Sequence, residues 1–258
     1  MQFQAELALL ASIRPELGLD QDITGNGLPP LSSVVDPESK ELDRWLDDTA
    51  TLASGIDAKT AAAYLISIFV WRLGDILGAL YLRGTSLPPL TADDLAVRLD
   101  AAGQGRSRDI QFRFRFSPPA GGHSFDRAGL VRSIIAIHGP LIEALYEKTR
   151  LSRRALWRLV TDGISGGFLE YGRRNDCVDI ARGEAIAILA DTTAPLYNRQ
   201  WRFIEIAPDT VRAEWFRLRG GCCRLYLTAD GEYCTTCVLR SSESQVERLR
   251  SLVERRAS

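Results

Sequence analysis

The chain has 258 residues, of which 45% are hydrophobic and 25% charged, a balance typical of a globular protein and not of a disordered or collagen-like one. Its formal net charge of −1 gives no support to general binding of nucleic acids or anionic membranes. The sequence has neither a secretory signal pattern nor a window of about 20 uncharged apolar residues. We therefore expect a cytoplasmic protein without a transmembrane segment, a peripheral membrane contact being left open.

The apolar pattern predicts mostly helices. They are expected at 3–14, 39–53, 57–82, 91–102, 126–171 with a break at Gly139–Pro140, 182–190 and 242–253, with an irregular connection at 25–39. Residues 109–116 alternate apolar side chains with Arg113 and Arg115, which predicts a half-buried strand with an arginine face. A second strand is expected at 201–206, whereas 211–218 fits either a helix or a strand.

Four of the five cysteines fall within sixteen residues near the C-terminus, in the pattern C-C-x10-C-x2-C: Cys222, Cys223, Cys234 and Cys237. Asp230–Gly231 is a favoured two-residue turn, which predicts a β-hairpin in which Arg224 faces Cys237. Adjacent cysteines on a regular strand point to opposite faces, but Gly220 and Gly221 allow a local bend. Such a hairpin would bring all four sulfurs to one end.

Four converging thiolates can bind a single zinc ion or a 2Fe-2S cluster. A structural zinc ribbon normally offers two C-x2-C turns, each binding the same ion. In this chain a vicinal pair replaces one of them, which suits two irons better than one tetrahedral ion. The spacing therefore favours a 2Fe-2S cluster, with zinc or a set of redox-active thiols as the alternatives.

The vicinal cysteines, the ten-residue gap, the final C-x2-C and their place some twenty residues from the C-terminus resemble the FhuF-like ferric-siderophore reductases. An arginine run, here Arg217 and Arg219, and Tyr233 before the third cysteine are also similar, whereas Gly220–Gly221 departs from the family by separating the arginines from the cysteine pair. The resemblance implies that the four cysteines bind a 2Fe-2S cluster.

The same resemblance implies one-electron reduction of siderophore-bound iron(III) to iron(II), with a ferric siderophore of the hydroxamate type as substrate. No dinucleotide or phosphate-loop motif is found, so a separate donor protein is expected to supply the electron. Two alternatives remain: a zinc-stabilised binding or regulatory module, and an iron-sulfur carrier or sensor that acts on a protein partner.

We expect an α+β fold: a mainly helical siderophore-binding body with a small antiparallel sheet at 1–200, and a C-terminal 2Fe-2S hairpin region followed by a helix at 201–258. Because the cluster is anionic, neighbouring arginines would favour its reduced form. The candidates for this tuning are Arg219, Arg224 and Arg240, although pairing with carboxylates such as Glu232 would explain them equally well.

Several other residues are weaker candidates. Trp201, Trp215, Phe216 and the Arg113–Arg115 face are candidates for the pocket wall, although a structural role explains each of them as well. The stretch 163–167 matches G-x-S-x-G, but both histidines, His123 and His138, precede its serine, so we interpret it as a run of small residues and not as a nucleophile elbow. His138 has no second histidine at a zinc-ligand interval. His123 is interpreted as an exposed loop residue and Cys177 as a packed free thiol.

Overall fold

A computed structural model describes residues 2–20, 27–85, 88–102, 109–117, 126–208, 213–229 and 231–257. Its helices are α1 (Gln2–Ile13), α2 (Leu31–Val34), α3 (Glu41–Ala50), α4 (Ala58–Leu82), α5 (Arg127–Thr149), α6 (Arg153–Arg174), α7 (Val178–Ile188) and α8 (Ser242–Ala257). Its strands are β1 (Leu95–Ala102), β2 (Asp109–Phe116), β3 (Arg202–Ile206) and β4 (Glu214–Leu218), which form the antiparallel pairs β1–β2 and β3–β4. The expected α+β fold is confirmed.

Helices α4 and α6 form the centre of the body. The carboxylate of Asp57 caps α4 by accepting the N–H of Thr60 at 2.7 Å, and the apolar residues that follow are buried over most of the helix surface. A Cβ atom on Gly167 of α6 would lie 2.4 Å from the backbone nitrogen of Asp75, so the two helices touch through their backbones. The run of small residues in α6 is therefore a packing surface. Ser165 within it is buried and donates its hydroxyl hydrogen to the carbonyl of Thr161 at 2.8 Å, which is not a nucleophile's position.

The helix predicted at 91–102 is wrong, because residues 95–102 form β1 and pair with β2 from Leu95 opposite Phe116 onward. Thr91 does bind the carboxylate of Asp94 through its backbone N–H at 2.8 Å, but this contact closes a turn and does not start a helix. The buried side chains of Val97 and Leu99 alternate with polar ones, and pairing with β2 selects the period of two.

Two further boundaries differ from the prediction. Helix α5 runs through Pro140 without the predicted break, and the chain turns instead at Arg150, whose φ is 59°. Ser152 then caps α6 as predicted, by accepting the N–H of Ala155 at 3.3 Å. The undecided residues 214–218 form β4, since they pair with the predicted strand β3.

A second, smaller apolar cluster lies among β3, β4 and α8. Its buried members are Ile206, Phe216, Leu218, Leu249 and Val253. This cluster fixes the two segments on either side of the cysteines, since β4 precedes them and α8 follows them. The predicted division of the chain at residue 200 stays a prediction.

By length and composition alone, Ala58–Leu82 and Arg127–Thr149 are long and apolar enough to cross a membrane. Inside the folded protein, however, 67% and 50% of their most apolar windows are buried, and core helices of globular proteins meet the same two criteria. The expectation of no transmembrane segment stays a prediction.

His138 gives the fold a predictable sensitivity to acid. The imidazole is fully buried in α5, donates from Nδ1 to the carbonyl of Ile134 at 2.7 Å, and its Nε2 atom has no partner among the described residues. Burial lowers the pKa of His138 from 6.5 to about 4. Between these two pH values the unfolded chain binds a proton that the folded chain does not bind.

The contribution of His138 to stability is therefore complete above pH 6.5 and is lost as the pH falls towards 4, by up to about 3 kcal/mol. Urea unfolding of the protein and of His138→Leu between pH 7 and pH 4 checks this. We expect the difference between their unfolding free energies to change with pH in this window. Parallel pH profiles would contradict the assignment.

Candidate metal centre

The cysteine segment, residues 219–241, connects β4 to α8 and is not the predicted β-hairpin. Its described residues contain no strand, and Leu225–Leu227 form a single 3-10 turn. The reason is that the N–H groups of Thr228 and Gly231 bond back within this turn, to Leu225 and Thr228 at 3.1 and 3.0 Å, and not across to a partner strand. Asp230, the first residue of the predicted turn, lies outside the described residues.

The segment nevertheless brings its cysteines together. Cys223 and Cys234 lie close enough for their thiols to interact, and the backbone N–H of Cys237 donates to the carbonyl of Cys234 at 3.1 Å, which closes the C-x2-C turn. The Cys222 sulfur accepts the N–H of Arg224 at 3.4 Å. It is also close enough to Cys223 and Cys237 for electrostatic interaction with them. All four thiols are free, and Cys237 is buried.

The thiols differ in how readily they ionise. A hydrogen-bonding interaction with Cys234 lowers the pKa of Cys223 to about 5, with help from the charge of Arg219, and the same interaction raises the pKa of Cys234. Burial raises the pKa of the Cys222 thiol. The positive charge of Arg219 therefore already favours a thiolate in this pair, which is the form that binds iron.

The backbone before the cysteines is held by a buried carboxylate. Asp162 lies in α6 and is 2% exposed. Its two oxygens accept the N–H groups of Gly220 at 2.8 Å and Gly221 at 2.9 Å, and Nε of Arg219 lies 3.3 Å from one of them. One side chain of the helical body thus fixes three consecutive residues immediately before Cys222.

The two glycines make this approach possible. A Cβ atom on Gly220 would lie 2.1 Å from Nδ2 of Asn198, and one on Gly221 would lie 3.0 Å from the carbonyl carbon of Arg158. A side chain at Gly220 would also lie 2.8 Å from the backbone nitrogen of Trp201, so at either glycine a neighbouring side chain or the backbone would have to move. The Gly220–Gly221 pair, which departs from the resemblance noted above, is therefore what lets the cysteine segment dock on α6.

The donor set fits a 2Fe-2S cluster, in which each iron takes two cysteine sulfurs. Within the described ranges, no three His, Cys, Asp or Glu side chains are placed to hold a single metal ion. One structural zinc ion requires four such ligands around a single point. Four cysteine sulfurs are nevertheless the complete ligand set of a 2Fe-2S cluster.

Comparison with known families agrees with this geometry. Residues 219–239 match the family described as FhuF 2Fe-2S C-terminal domain. The cysteine segment matches a FhuF 2Fe-2S domain. Its cofactor is accordingly a 2Fe-2S cluster, and the resemblance noted in the sequence is confirmed. No curated protein matches the chain. The matched residues identify the cysteine segment and not the helical body, and the ligand role of the individual cysteines stays a prediction.

The three arginines predicted to tune the FhuF 2Fe-2S domain occupy different positions. The Arg219 guanidinium is largely buried, with Nη1 3.9 Å from the Cys234 sulfur. Although burial alone would lower it, the pKa of Arg219 is raised by Asp162 and by the sulfurs of Cys223 and Cys234. Arg219 is the one whose charge faces the sulfurs directly.

Arg224 and Arg240 hold the backbone of the FhuF 2Fe-2S domain. The side chain of Arg224 turns away to Asp57 and Thr60 at the start of α4, at 3.1 and 3.2 Å. Arg240 donates to the carbonyls of Cys234 at 2.9 Å and Tyr233 at 2.6 Å. In the described structure, these contacts of Arg224 and Arg240 do not involve Glu232, the carboxylate that the sequence analysis considered as a partner.

The weaker pocket candidates are dispersed. Trp201 adjoins Gly220 and stacks edge-on against Phe203, with ring centroids 5.3 Å apart. Trp215 instead lies under the guanidinium of Arg182, and Phe216 is buried in the small apolar cluster.

Two further candidates do not join the cysteine segment, and a third is not among the described residues. Arg113 pairs with Asp100 on the β1–β2 sheet. Cys177 precedes α7 and packs against the main core, as expected. His123 lies outside the described residues.

Sequence reasoning missed two supports of the FhuF 2Fe-2S domain, Asp162 and Gln245. Buried Gln245 of α8 donates from Nε2 to the carbonyl of Cys237 at 2.7 Å. A signal for Asp162 was present, because an acidic residue stood on the apolar side of a helix between Leu159 and Ile164. Buried carboxylates need specific partners, and the backbone N–H groups of the glycine pair before the cysteines are such partners.

Substituting Gly220 tests the docking. We expect Gly220→Ala to destabilise the protein by about 1–3 kcal/mol, through overpacking against Asn198 and Trp201, and to lower the iron retained after purification. Gly183→Ala in α7 is the matched control, because a Cβ atom there meets nothing within 4 Å, and we expect it to stabilise by about 0.5–1 kcal/mol. Urea midpoints and iron content measure both effects. Equal behaviour of the two variants would contradict the close approach.

Proposed function

We propose that the protein is a ferric-siderophore reductase, in which one electron from a separate donor protein converts siderophore-bound iron(III) to iron(II). The observation that carries this proposal is the match of the cysteine segment to the FhuF 2Fe-2S C-terminal domain. Oxygen ligands hold the small, hard iron(III) ion far more tightly than iron(II), so reduction releases the metal. The freed ligand oxygens then take up protons from water.

In this proposal Cys222, Cys223, Cys234 and Cys237 hold the cluster, which supplies the ability to accept and release single electrons. Arg219 places a buried positive charge beside Cys234, which favours added negative charge at the site. Asp162 offsets part of that charge and fixes the guanidinium 3.3 Å from its carboxylate. The two residues set both the position and the electrostatic potential of the cysteine segment.

A protein donor has a suitable surface at the cysteine segment. Leu227, Tyr233 and Leu239 are large apolar residues that are 44%, 42% and 51% exposed. Such residues mark contact sites when they cluster on one surface. We place the donor on this surface and the reaction in the cytoplasm, where free thiols such as these five persist.

Rapid mixing tests the reaction. The anaerobic protein is reduced with dithionite, freed of excess reductant, and mixed with a ferric chelate and an iron(II)-specific dye. We expect the visible spectrum of the oxidised protein to return as iron(II) forms in equal amount. The gallium(III) form of the same chelate should leave the protein reduced. A reduced protein that persists with every ferric chelate would indicate an electron carrier or sensor instead.

A further inference from the structure

A cleft of about 540 Å³ lies beside the cysteine segment, between the start of α6 and the loop before β3. Its walls include three arginines and three other polar residues: Arg154, Arg158, Arg199, Tyr197, Asn198 and Gln200. This volume is within the range of small-molecule sites, which is about 300–1,000 Å³. The cleft is therefore large enough to hold a compact metal chelate or a substantial part of one.

The charged side chains that line this cleft are all positive. The lining contains no acidic residue, and within the described structure Arg154, Arg158 and Arg199 form no ion pair. Their neighbour Arg153, by contrast, is paired with Glu143 at 2.6 Å. Unpaired arginines around a concave surface create a positive potential that attracts anions. A negatively charged ligand would give all three guanidinium groups a partner at once.

The cleft also contains a buried hydrogen-bond donor without an acceptor. Asn198 is 7% exposed, and its Oδ1 accepts the N–H of Gln200 at 3.0 Å. Its Nδ2 atom is buried and meets no acceptor in the residues that the structure describes. A buried donor left in this way is costly, and here the amide group lies against Gly220, where the cleft meets the cysteine segment.

The cleft adjoins the proposed cluster ligands. Nδ2 of Asn198 lies against Gly220, and the backbone of Arg158 lies against Gly221. Gly220 stands two residues before Cys222, a separation of about 7 Å even for extended chain. A ligand in the cleft would thus be a near neighbour of the site that passes the electron.

From this charge, volume and position we propose that the cleft binds the ferric chelate and that this chelate is anionic. The inference rests on the proposed reductase function and specifies its substrate class. A tris-hydroxamate complex of iron(III) is neutral, because three singly charged groups balance the ion. Tris-catecholate and α-hydroxycarboxylate complexes keep an excess of negative charge. The cleft therefore favours these anionic complexes over the hydroxamate type that the resemblance implies, and the hydroxamate expectation stays a prediction.

Gallium(III) chelates test the charge preference without turnover, because gallium(III) matches iron(III) in charge and size and is not reduced. Isothermal titration of the cluster-loaded protein would compare two tripodal chelators on one benzene scaffold, with three catecholamide or three hydroxamate arms, and also gallium(III) citrate. We expect an anionic complex to bind at least about tenfold more tightly than the neutral one. If only the catecholamide complex or only the citrate complex binds, that result identifies which class of anionic chelate the cleft accepts. Raising the salt concentration should narrow the difference.

Substitutions locate the binding. Arg158→Gln and Arg199→Gln should each weaken the anionic complex about tenfold and leave the neutral one unchanged. Arg132→Gln is the matched control, since this exposed arginine lies about 25 Å along α5 from the end of that helix and does not line the cleft. Equal affinity for neutral and anionic complexes, or unchanged affinity in both cleft variants, would overturn the inference.

Failure of this inference is distinguishable from failure of the reductase proposal. If ferric chelates reoxidise the reduced protein, and anionic ferric chelates reoxidise the cleft variants at the rate of the parent protein, the inference is wrong and the reductase proposal stands. If anionic gallium chelates bind in the cleft but no ferric chelate accepts an electron, the reductase proposal is wrong and the anion preference stands.

Discussion

Replacing any one of the four clustered cysteines with serine is expected to remove essentially all of the 2Fe-2S cluster from the purified protein. The four residues are Cys222, Cys223, Cys234 and Cys237. Each iron of a 2Fe-2S cluster needs two thiolates, so one missing sulfur leaves an iron with an incomplete set. The effect should be seen as loss of iron, of acid-labile sulfide and of visible absorbance.

Cys177→Ser is the control for these four variants. Cys177 precedes α7 and packs against the main core, away from the cysteine segment, so its cluster content should equal that of the parent protein. Far-ultraviolet circular dichroism should show helices in all five variants, because the α4–α6 packing does not involve these thiols. A full cluster in any one of the four variants would remove that residue from the ligand set.

Asp162→Asn is expected to be the most damaging substitution outside the cysteines. The amide keeps one oxygen but turns its NH₂ group towards a backbone N–H of Gly220 or Gly221, both of which the carboxylate now satisfies. It also leaves the buried guanidinium of Arg219 without its counter-charge. Removing one partner of a buried ion pair costs about 3–5 kcal/mol, so we expect a loss of that size and a protein that releases its cluster.

Urea unfolding and iron content measure this prediction, and Asp179→Asn provides the comparison. The side chain of Asp179 is 90% exposed and pairs with Arg182 on the surface, so its substitution should change stability by less than about 1 kcal/mol. An Asp162→Asn protein as stable and as rich in iron as Asp179→Asn would show that the carboxylate does not hold the cysteine segment.

Much of the fold could be predicted from local sequence. The long apolar run that begins at Asp57 gave α4 almost to the residue, because a capping carboxylate and continuous burial act within one helix. The strand β1 could not be predicted in the same way. Its alternating pattern is weak, and Thr91 with Asp94 imitates a helix start, so only pairing with β2 decides the structure.

The candidate site was likewise predictable only where the signal is local in the sequence. The four cysteines were identifiable because their spacing is itself the chemical signal. Asp162 was not identified, because its role depends on contacts with residues 58 and 59 positions away. The predicted β-hairpin failed for a related reason, since docking of Gly220–Gly221 on α6 and a local 3-10 turn replaced the strand pairing that the turn residues favour.

The most direct test is the iron and acid-labile sulfide content of the anaerobically purified protein, together with the electron paramagnetic resonance spectrum after reduction. We expect two irons and two sulfides per chain, no signal from the oxidised protein and a single-electron signal from the reduced one. A colourless protein with bound zinc, no sulfide and no signal after reduction would contradict this expectation.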